Sequence, residues 1–216
     1  MRDLRLKIDL HVHTRYSHDS TITLDEIVAY SKKRGLNGVA ITDHDVVKGA
    51  LRLAQKAKEL IVIPGVEVTT SHGHVLALNT TKPVPKELSP SETIQIIHEA
   101  GGIAVAAHPT VFYKGLRGHV NSNFDAVEVV NASAFPFFLS TYLSHKLAVR
   151  LDLPQTAGSD AHYASEIGFA YTVVDTDPEV DEIVHAIKKG ATSPCGKPIP
   201  WKLRLKRGYF NLKKKM

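Results

Sequence analysis

Short runs of apolar and β-branched residues alternate along the chain with segments of helical pattern. Residues 6–10, 38–41, 61–68, 74–78, 103–107, 126–130, 155–158 and 171–174 read as strands. The intervening segments carry helix start and stop signals. Thr23 with Glu26, and Ser89 with Glu92, have the spacing of a capping box, and Pro90 stands at a first helical position. Lys32, Lys33 and Arg34 precede Gly35, where cations suit the carboxyl end of a helix. Asp177 and Pro178 are expected to open the last helix and Gly190 to close it. Alternating strand and helix patterns predict a parallel sheet with helices outside. Seven or eight such units in so short a chain favour a small barrel over a doubly wound sheet. The prediction is an α/β fold, a single-domain TIM-like barrel.

Composition narrows the class without naming a chemistry. The 216 residues are 43% apolar and 23% charged, which excludes bulk disorder, collagen and coiled-coil rods. A chain of this length can bury a core without staples. No apolar run approaches a membrane span, and the charged start of the chain is not that of a signal peptide. The lone Cys195 can close no intramolecular disulfide and build no thiolate zinc site, so a reducing, cytoplasmic setting is expected. The net charge of +5 comes from one end. Residues 188–216 hold ten Lys or Arg and no Asp or Glu, whereas the rest carries 17 basic and 22 acidic side chains. The expected organisation is a barrel over residues 1–193 and a basic tail over 194–216.

Candidate chemistry comes from the histidines, 12 in all. His11 and His13 flank Val12 at the end of the first strand, where residues two apart share a face. Asp19 follows. Asp43 and His44 end the second strand, Glu67 the third, and His74 opens the fourth. His108 ends the fifth, and Asp160 and His162 follow the seventh with the same two-residue spacing. Polar groups from many strand ends converging on one mouth are the pattern of a barrel enzyme. Imidazole and carboxylate ligands suit Zn, Mn or Fe. Six histidines and three carboxylates exceed the needs of one ion, which implies a multinuclear site.

These segments, H-x-H, T-D-H, G-V-E, H-V-L, A-H-P and G-S-D-A-H, resemble in kind and order the motifs of the PHP superfamily, named for polymerases and histidinol phosphatase. They span residues 9–162. The resemblance implies a distorted (βα)7 barrel and a metal-dependent phosphoesterase of the small stand-alone group. It implies two or three divalent ions. His11, His13, Glu67 and Asp160 would hold the first; a bridging Glu67 with His74 and His108 the second; Asp19, His44 and His162 the third. The family often places its carboxylate five residues after the second histidine of H-x-H. Here that position is His18 and Asp19 is the next, so either can serve. The two-domain members carry a helical insertion for which this chain has no room.

A metal-bridging hydroxide beside Glu67 and Asp160 is the expected nucleophile. A metal-bound water or an unliganded acid such as Asp43 or His18 is the expected proton donor to the leaving group, and Arg15, Lys114 and Arg117 are candidates to clamp a phosphate. The expected substrate is a small phosphorylated or nucleotide/oligonucleotide ester. Histidinol-phosphate hydrolysis and a non-catalytic RNA-binding role in a tRNA-processing ribonucleoprotein are the alternatives. His72, His98, His119, His145 and His185 read as structural or surface residues, Asp45 as a turn residue, and Glu128 and Asn131 as orienting or substrate-facing groups. The tail reads as a solvated end, as a nucleic-acid contact through Lys and Arg interleaved with Trp201, Tyr209 and Phe210, or as a membrane-surface segment.

Overall fold

The computed structural model describes residues 5–113 and 115–207. The strands and longer helices among them follow in the order β1 (Arg5–Val12), α1 (Leu24–Arg34), β2 (Gly38–Ile41), α2 (Lys48–Lys56), β3 (Ile61–Thr70), β4 (Gly73–Leu78), α3 (Pro90–Glu99), β5 (Ile103–Ala106), β6 (Ala126–Asn131), α4 (Phe137–Leu151), β7 (Gln155–Gly158), β8 (Ala170–Asp175), α5 (Val180–Lys188) and β9 (Thr192–Gly196). Both capping boxes form. Thr23 and Ser89 each accept from the backbone N–H three residues on, and Glu26 and Glu92 reach back to the cap. Gly35, at φ 66°, closes α1 in the left-handed region that glycine adopts without strain. The last helix begins at Val180, past the expected Asp177-Pro178 opening, and Gly190 follows its end at φ 75°.

The sheet runs β7-β6-β5-β4-β3-β2-β1-β8-β9 and curls into a nearly closed barrel. The wholly parallel sheet expected from the alternating pattern is not what forms. β1, β2 and β3 are parallel, as are β5, β6 and β7. β4 lies antiparallel to both β3 and β5, and β8 and β9 are antiparallel additions beside β1. The cause is local. Only Ser71 and His72 separate β3 from β4, too short for a crossover, so β4 must return as a hairpin. This inversion explains why His74 opens its strand while other candidates end theirs: the start of β4 lies at the mouth.

Closure is made without a continuous ladder. The first half of β1 pairs with β8. Its second half meets the chain leaving β7, where Asp160 N donates to His11 O at 2.8 Å and His13 N to Ala161 O at 3.0 Å. At the opposite end Thr172 Oγ1 donates to Ala157 O, and Thr192 Oγ1 to Gln155 O, tying β8 and β9 to β7. Gly158 permits the close approach, since a Cβ there would stand 2.3 Å from His11 Cβ. β2, β5 and β6 are buried along their whole length, as strands covered on both faces must be.

The boundary expected between residues 193 and 194 falls inside β9, which pairs with β8 from Thr192 to Gly196. The chain stays on the barrel beyond it. Ile199 is buried, its N–H donating to Ala132 O at 3.0 Å, and residues 201–207 are helical. No helix among the described residues is long and apolar enough to cross a membrane.

Candidate metal centre

The strand ends gather nine side chains at the mouth. His11, His13, Glu67 and Asp160 present one ligand atom each within 4.8 Å of one another, and so do His13, Asp19, His44 and His162, and His44, Glu67 and His74. Glu67 is the hub. Its Oε2 lies 3.2 Å from His11 Nε2, His13 Nε2 and His44 Nδ1, and its Oε1 lies 2.6 Å from His74 Nδ1 and 2.9 Å from His108 Nε2. Asp160 Oδ1 stands 3.6 and 3.3 Å from the same His11 and His13 nitrogens. Asp19 Oδ2 stands 3.0 Å from His162 Nε2 and 3.4 Å from His44 Nε2. Of the two adjacent candidates it is therefore Asp19 that joins the cluster, while His18 is exposed beside His44.

The donor set fits cations. A tetrahedral shell with bonds of about 2.1 Å has edges of about 3.4 Å, which is the spacing of the His11, His13, Glu67 and Asp160 atoms. His11 Nε2, His13 Nε2 and His108 Nδ1 are buried with no hydrogen-bond partner among the described residues. Buried polar atoms are seldom left so, and two of the three point into the shell. Tautomers are set from behind. His11 Nδ1 donates to Glu128 Oε1 at 3.0 Å, and His162 Nδ1 to the Asp160 carbonyl at 3.0 Å, which leaves each Nε2 as the lone-pair nitrogen. His44 faces carboxylates with both nitrogens and can serve either the Glu67 or the Asp19 side.

The electrostatics also favour positive charge here. Burial disfavours protonation of His11 and His13, yet carboxylates overcome it. Glu128, Asp160 and Glu67 hold His11 well above its usual range, and Asp160 and Glu67 raise His13 to about 9. Glu67 and Asp160 are held well below the ordinary carboxylate range, burial notwithstanding, by the facing imidazoles. Burial beside His13 pushes His162 down to about 4.

Several expected roles are not supported by position. Asp43, expected as proton donor, is fully buried behind the site, where its carboxylate accepts from Thr14 N at 2.6 Å and Thr14 Oγ1 at 2.8 Å. Burial raises its pKa to about 6, but it is not in the cavity wall. Arg15 lies in a separate depression with Tyr16, Asp25 and Arg52. Arg117 stacks on Phe112 at 4.8 Å and donates to the Phe112 carbonyl, outside the cavity. Lys114 lies outside the described residues.

Asp9 carried no assigned role, and Glu128 takes the orienting role of the two expected of it. Asp9 is fully buried and accepts from Ser159 N, Gly168 N and His11 N, welding β1 to the loop that bears Asp160. Glu128 accepts from His108 N at 2.8 Å and Asn131 Nδ2 at 2.9 Å as well as from His11. A charged residue in the otherwise apolar strand 126–130 was its sequence signal. His108 and Asp160 have φ of 27° and 52°, in the left-handed region, so backbone strain is held at two of the ligand positions.

A cavity of about 310 Å³ opens over the cluster, walled by His44, Glu67, His108, Asp160 and His162 together with Phe112, Tyr113, Phe135 and Arg207. Comparison with known proteins gives this geometry its family. A PHP domain model matches residues 9–128, and a PHP-associated model matches residues 141–192. An uncharacterized protein of Methanocaldococcus jannaschii is 38% identical over 141 residues, 59% of this chain and 82% of that protein. The error-prone DNA polymerase of Symbiobacterium thermophilum is 38% identical over 79 residues, 35% of this chain but 7% of the polymerase. Among solved structures, a two-domain Bacteroides vulgatus protein containing a predicted PHP-like metal-dependent phosphoesterase superposes with a TM-score of 0.75 at 16% identity. The match covers 89% of this chain and 65% of that one. PsfC of Pseudomonas syringae gives 0.73 at 18% identity, over 97% and 98% of the two chains. These likenesses establish the fold, and the domain match over more than half of the chain places it in the PHP domain family.

Proposed function

We propose that this protein is a metal-dependent phosphoesterase acting on a small phosphorylated or nucleotide substrate. The observation that carries the reading is the set of three overlapping ligand groups, linked through Glu67, His13 and His44, at the bottom of an open cavity. The set suits two or three divalent ions of the Zn, Mn or Fe type. When bound, such ions supply charge neutralisation, Lewis acidity and activation of a water at neutral pH. The protein's own residues do the rest. Glu128 and the Asp160 carbonyl fix the tautomers of His11 and His162. Glu67, shared among five imidazoles, fixes the spacing of the groups. Asp9, Asp43 and Gly158 lock the loops that carry the ligands to β1 and to one another.

The cavity volume lies at the lower end for a ligand site, so a small ester enters whole and a longer chain only by its end. Phe112, Tyr113 and Phe135 in its wall suit an aromatic leaving group such as a nucleoside. Elemental analysis of protein purified without chelator, followed by an Mn²⁺-supplemented screen over nucleotides, sugar phosphates, histidinol phosphate and short oligonucleotides, tests the reading. The expected result is at least two transition-metal equivalents and hydrolysis that a chelator abolishes. A loaded site that hydrolyses no ester would refute it.

A further inference from the structure

A cationic side chain at the mouth would add to the charge that bound ions offer an anionic ester. Among the described residues, Arg207 is the only Lys or Arg in the cavity wall. It comes from the segment after β9, beyond both matched family regions.

Its placement is built rather than incidental. Arg204, three residues earlier, donates through Nε to Ile199 O at 3.0 Å, through Nη1 to Ser133 O at 3.0 Å, and through Nη2 to Ala132 O at 3.0 Å and Ala134 O at 3.2 Å. Three successive carbonyls of one loop are thus held by one guanidinium. That loop follows β6, and its Ser133 and Ala134 line the cavity. Leu203 packs on the core, and Trp201 meets Phe135 edge to face at 5.6 Å. In a helical segment residues three apart share a face, so fixing Arg204 turns Arg207 toward the same loop. There Arg207 Nη1 donates to Ser133 Oγ at 3.0 Å. Its nearest carboxylate, Glu166 Oε2, is 3.9 Å away and already accepts from His162 N and Tyr163 N. A guanidinium has five N–H donors, and these contacts leave donors facing the cavity.

We propose that Arg207 binds the substrate phosphate and that Arg204 is the positioning residue that holds it at the mouth. This rests on the phosphoesterase reading above. It assigns the start of the basic segment to the active site, in place of Arg15 and Arg117.

The test compares the metal-loaded full chain with R207Q, R207K and R204Q. Calorimetry measures the Kd of inorganic phosphate, and p-nitrophenyl phosphate gives kcat and KM. Loss of one charge-assisted contact should weaken phosphate binding and raise KM about 10- to 100-fold in R207Q. Its kcat should stay within about threefold, since the contact exists in ground and transition states alike. R207K should recover part of the affinity. R204Q should shift Kd in the same direction although it touches no substrate. Unchanged Kd and KM in R207Q would overturn the proposal and leave Arg207 a partner of Ser133 and Glu166 alone. So would failure of the wild type to bind phosphate. If phosphate binding depends on Arg207 while no ester is hydrolysed, Arg207 stands as a phosphate-binding residue and the hydrolase reading alone falls.

Discussion

Glu128→Gln isolates the contribution of one residue behind the ligand groups. The Glu128 carboxylate is 1% exposed and faces only donors: His11 Nδ1 at 3.0 Å on one oxygen, His108 N at 2.8 Å and Asn131 Nδ2 at 2.9 Å on the other. A glutamine has the same shape but must turn its NH2 to one side. Facing His108 and Asn131, it would oppose two donors with a donor, at a cost of about 1–3 kcal/mol for each buried group left unpaired. Facing His11, it can donate to Nδ1 if the ring moves its proton to Nε2. That exchange loses no hydrogen bond, so it is the arrangement expected. It also puts a proton on the nitrogen that faces Glu67 and Asp160, where a lone pair is needed. Metal affinity should therefore fall about 10- to 100-fold, and the metal-free fold should also lose stability, because Glu128 is the carboxylate that most favours the imidazolium of the buried His11. Competition of Zn²⁺ or Mn²⁺ against a calibrated chelator measures the affinity, and denaturant unfolding without added metal measures the stability. Wild-type affinity in a folded Glu128→Gln variant would refute the assignment of His11 as a ligand oriented by Glu128. A loss of stability with no change in affinity would make Glu128 purely structural.

Glu67→Gln removes the carboxylate that faces five imidazoles. Bound metal should fall below two equivalents by elemental analysis and turnover should drop by at least about 100-fold. Gly158→Ala forces a Cβ to within 2.3 Å of His11 Cβ. The midpoint of chemical denaturation should report a loss of about 1–3 kcal/mol or more. Asp125 lies away from the mouth, accepting from Ala104 N at 2.8 Å, His98 Nε2 at 2.7 Å and Lys188 Nζ at 3.0 Å. Burial would raise its pKa, but these donors outweigh it and hold the carboxyl below its ordinary value. A depressed folded pKa gives stability that is present above about pH 4 and lost as pH falls through the folded value. Asp125→Asn should cost about 1–2 kcal/mol at pH 7 and much less near pH 2, with turnover unchanged. Deleting residues 208–216 tests recruitment of nucleic acid: if those charges serve it, oligonucleotide turnover should fall and lose part of its salt dependence while p-nitrophenyl phosphate turnover stays constant. A deletion that begins at residue 202 would also remove Arg204 and Arg207, and would affect both substrates.

Much of the ligand set was legible because its chemistry is concentrated in side chains and its placement follows from strand periodicity. His11 and His13 share a face through two-residue spacing, and each motif follows an apolar run short enough to be read as a strand. The capping boxes of α1 and α3 were legible for the same reason, since their partners are three residues apart. Nearness in sequence to the motifs does not by itself bring a cation to the cavity wall. Arg15 and Arg117 are close to ligands along the chain yet turn away from the cavity, while Arg207 enters from 45 residues beyond the last ligand, His162. Asp43 differs: its motif places it beside His44, but past the end of β2 its carboxylate turns to Thr14 and not to the cavity.

The sequence by itself determined the class of fold, the kinds of ligand and which strand ends bear them, because these depend on local pattern and side-chain chemistry. The tertiary structure decided which candidate ligands come together, which nitrogen of a histidine carries the proton, and which cation reaches the mouth. It also decided that β4 runs antiparallel and that β9 closes the sheet where a tail was expected. Those outcomes depend on contacts between residues far apart in the chain: His11 and Glu128, Glu67 and His108, Arg204 and the carbonyls of 132–134. Strand periodicity gives the face on which a side chain lies but not its partner across the barrel. Only closure of the sheet brings the partners within reach.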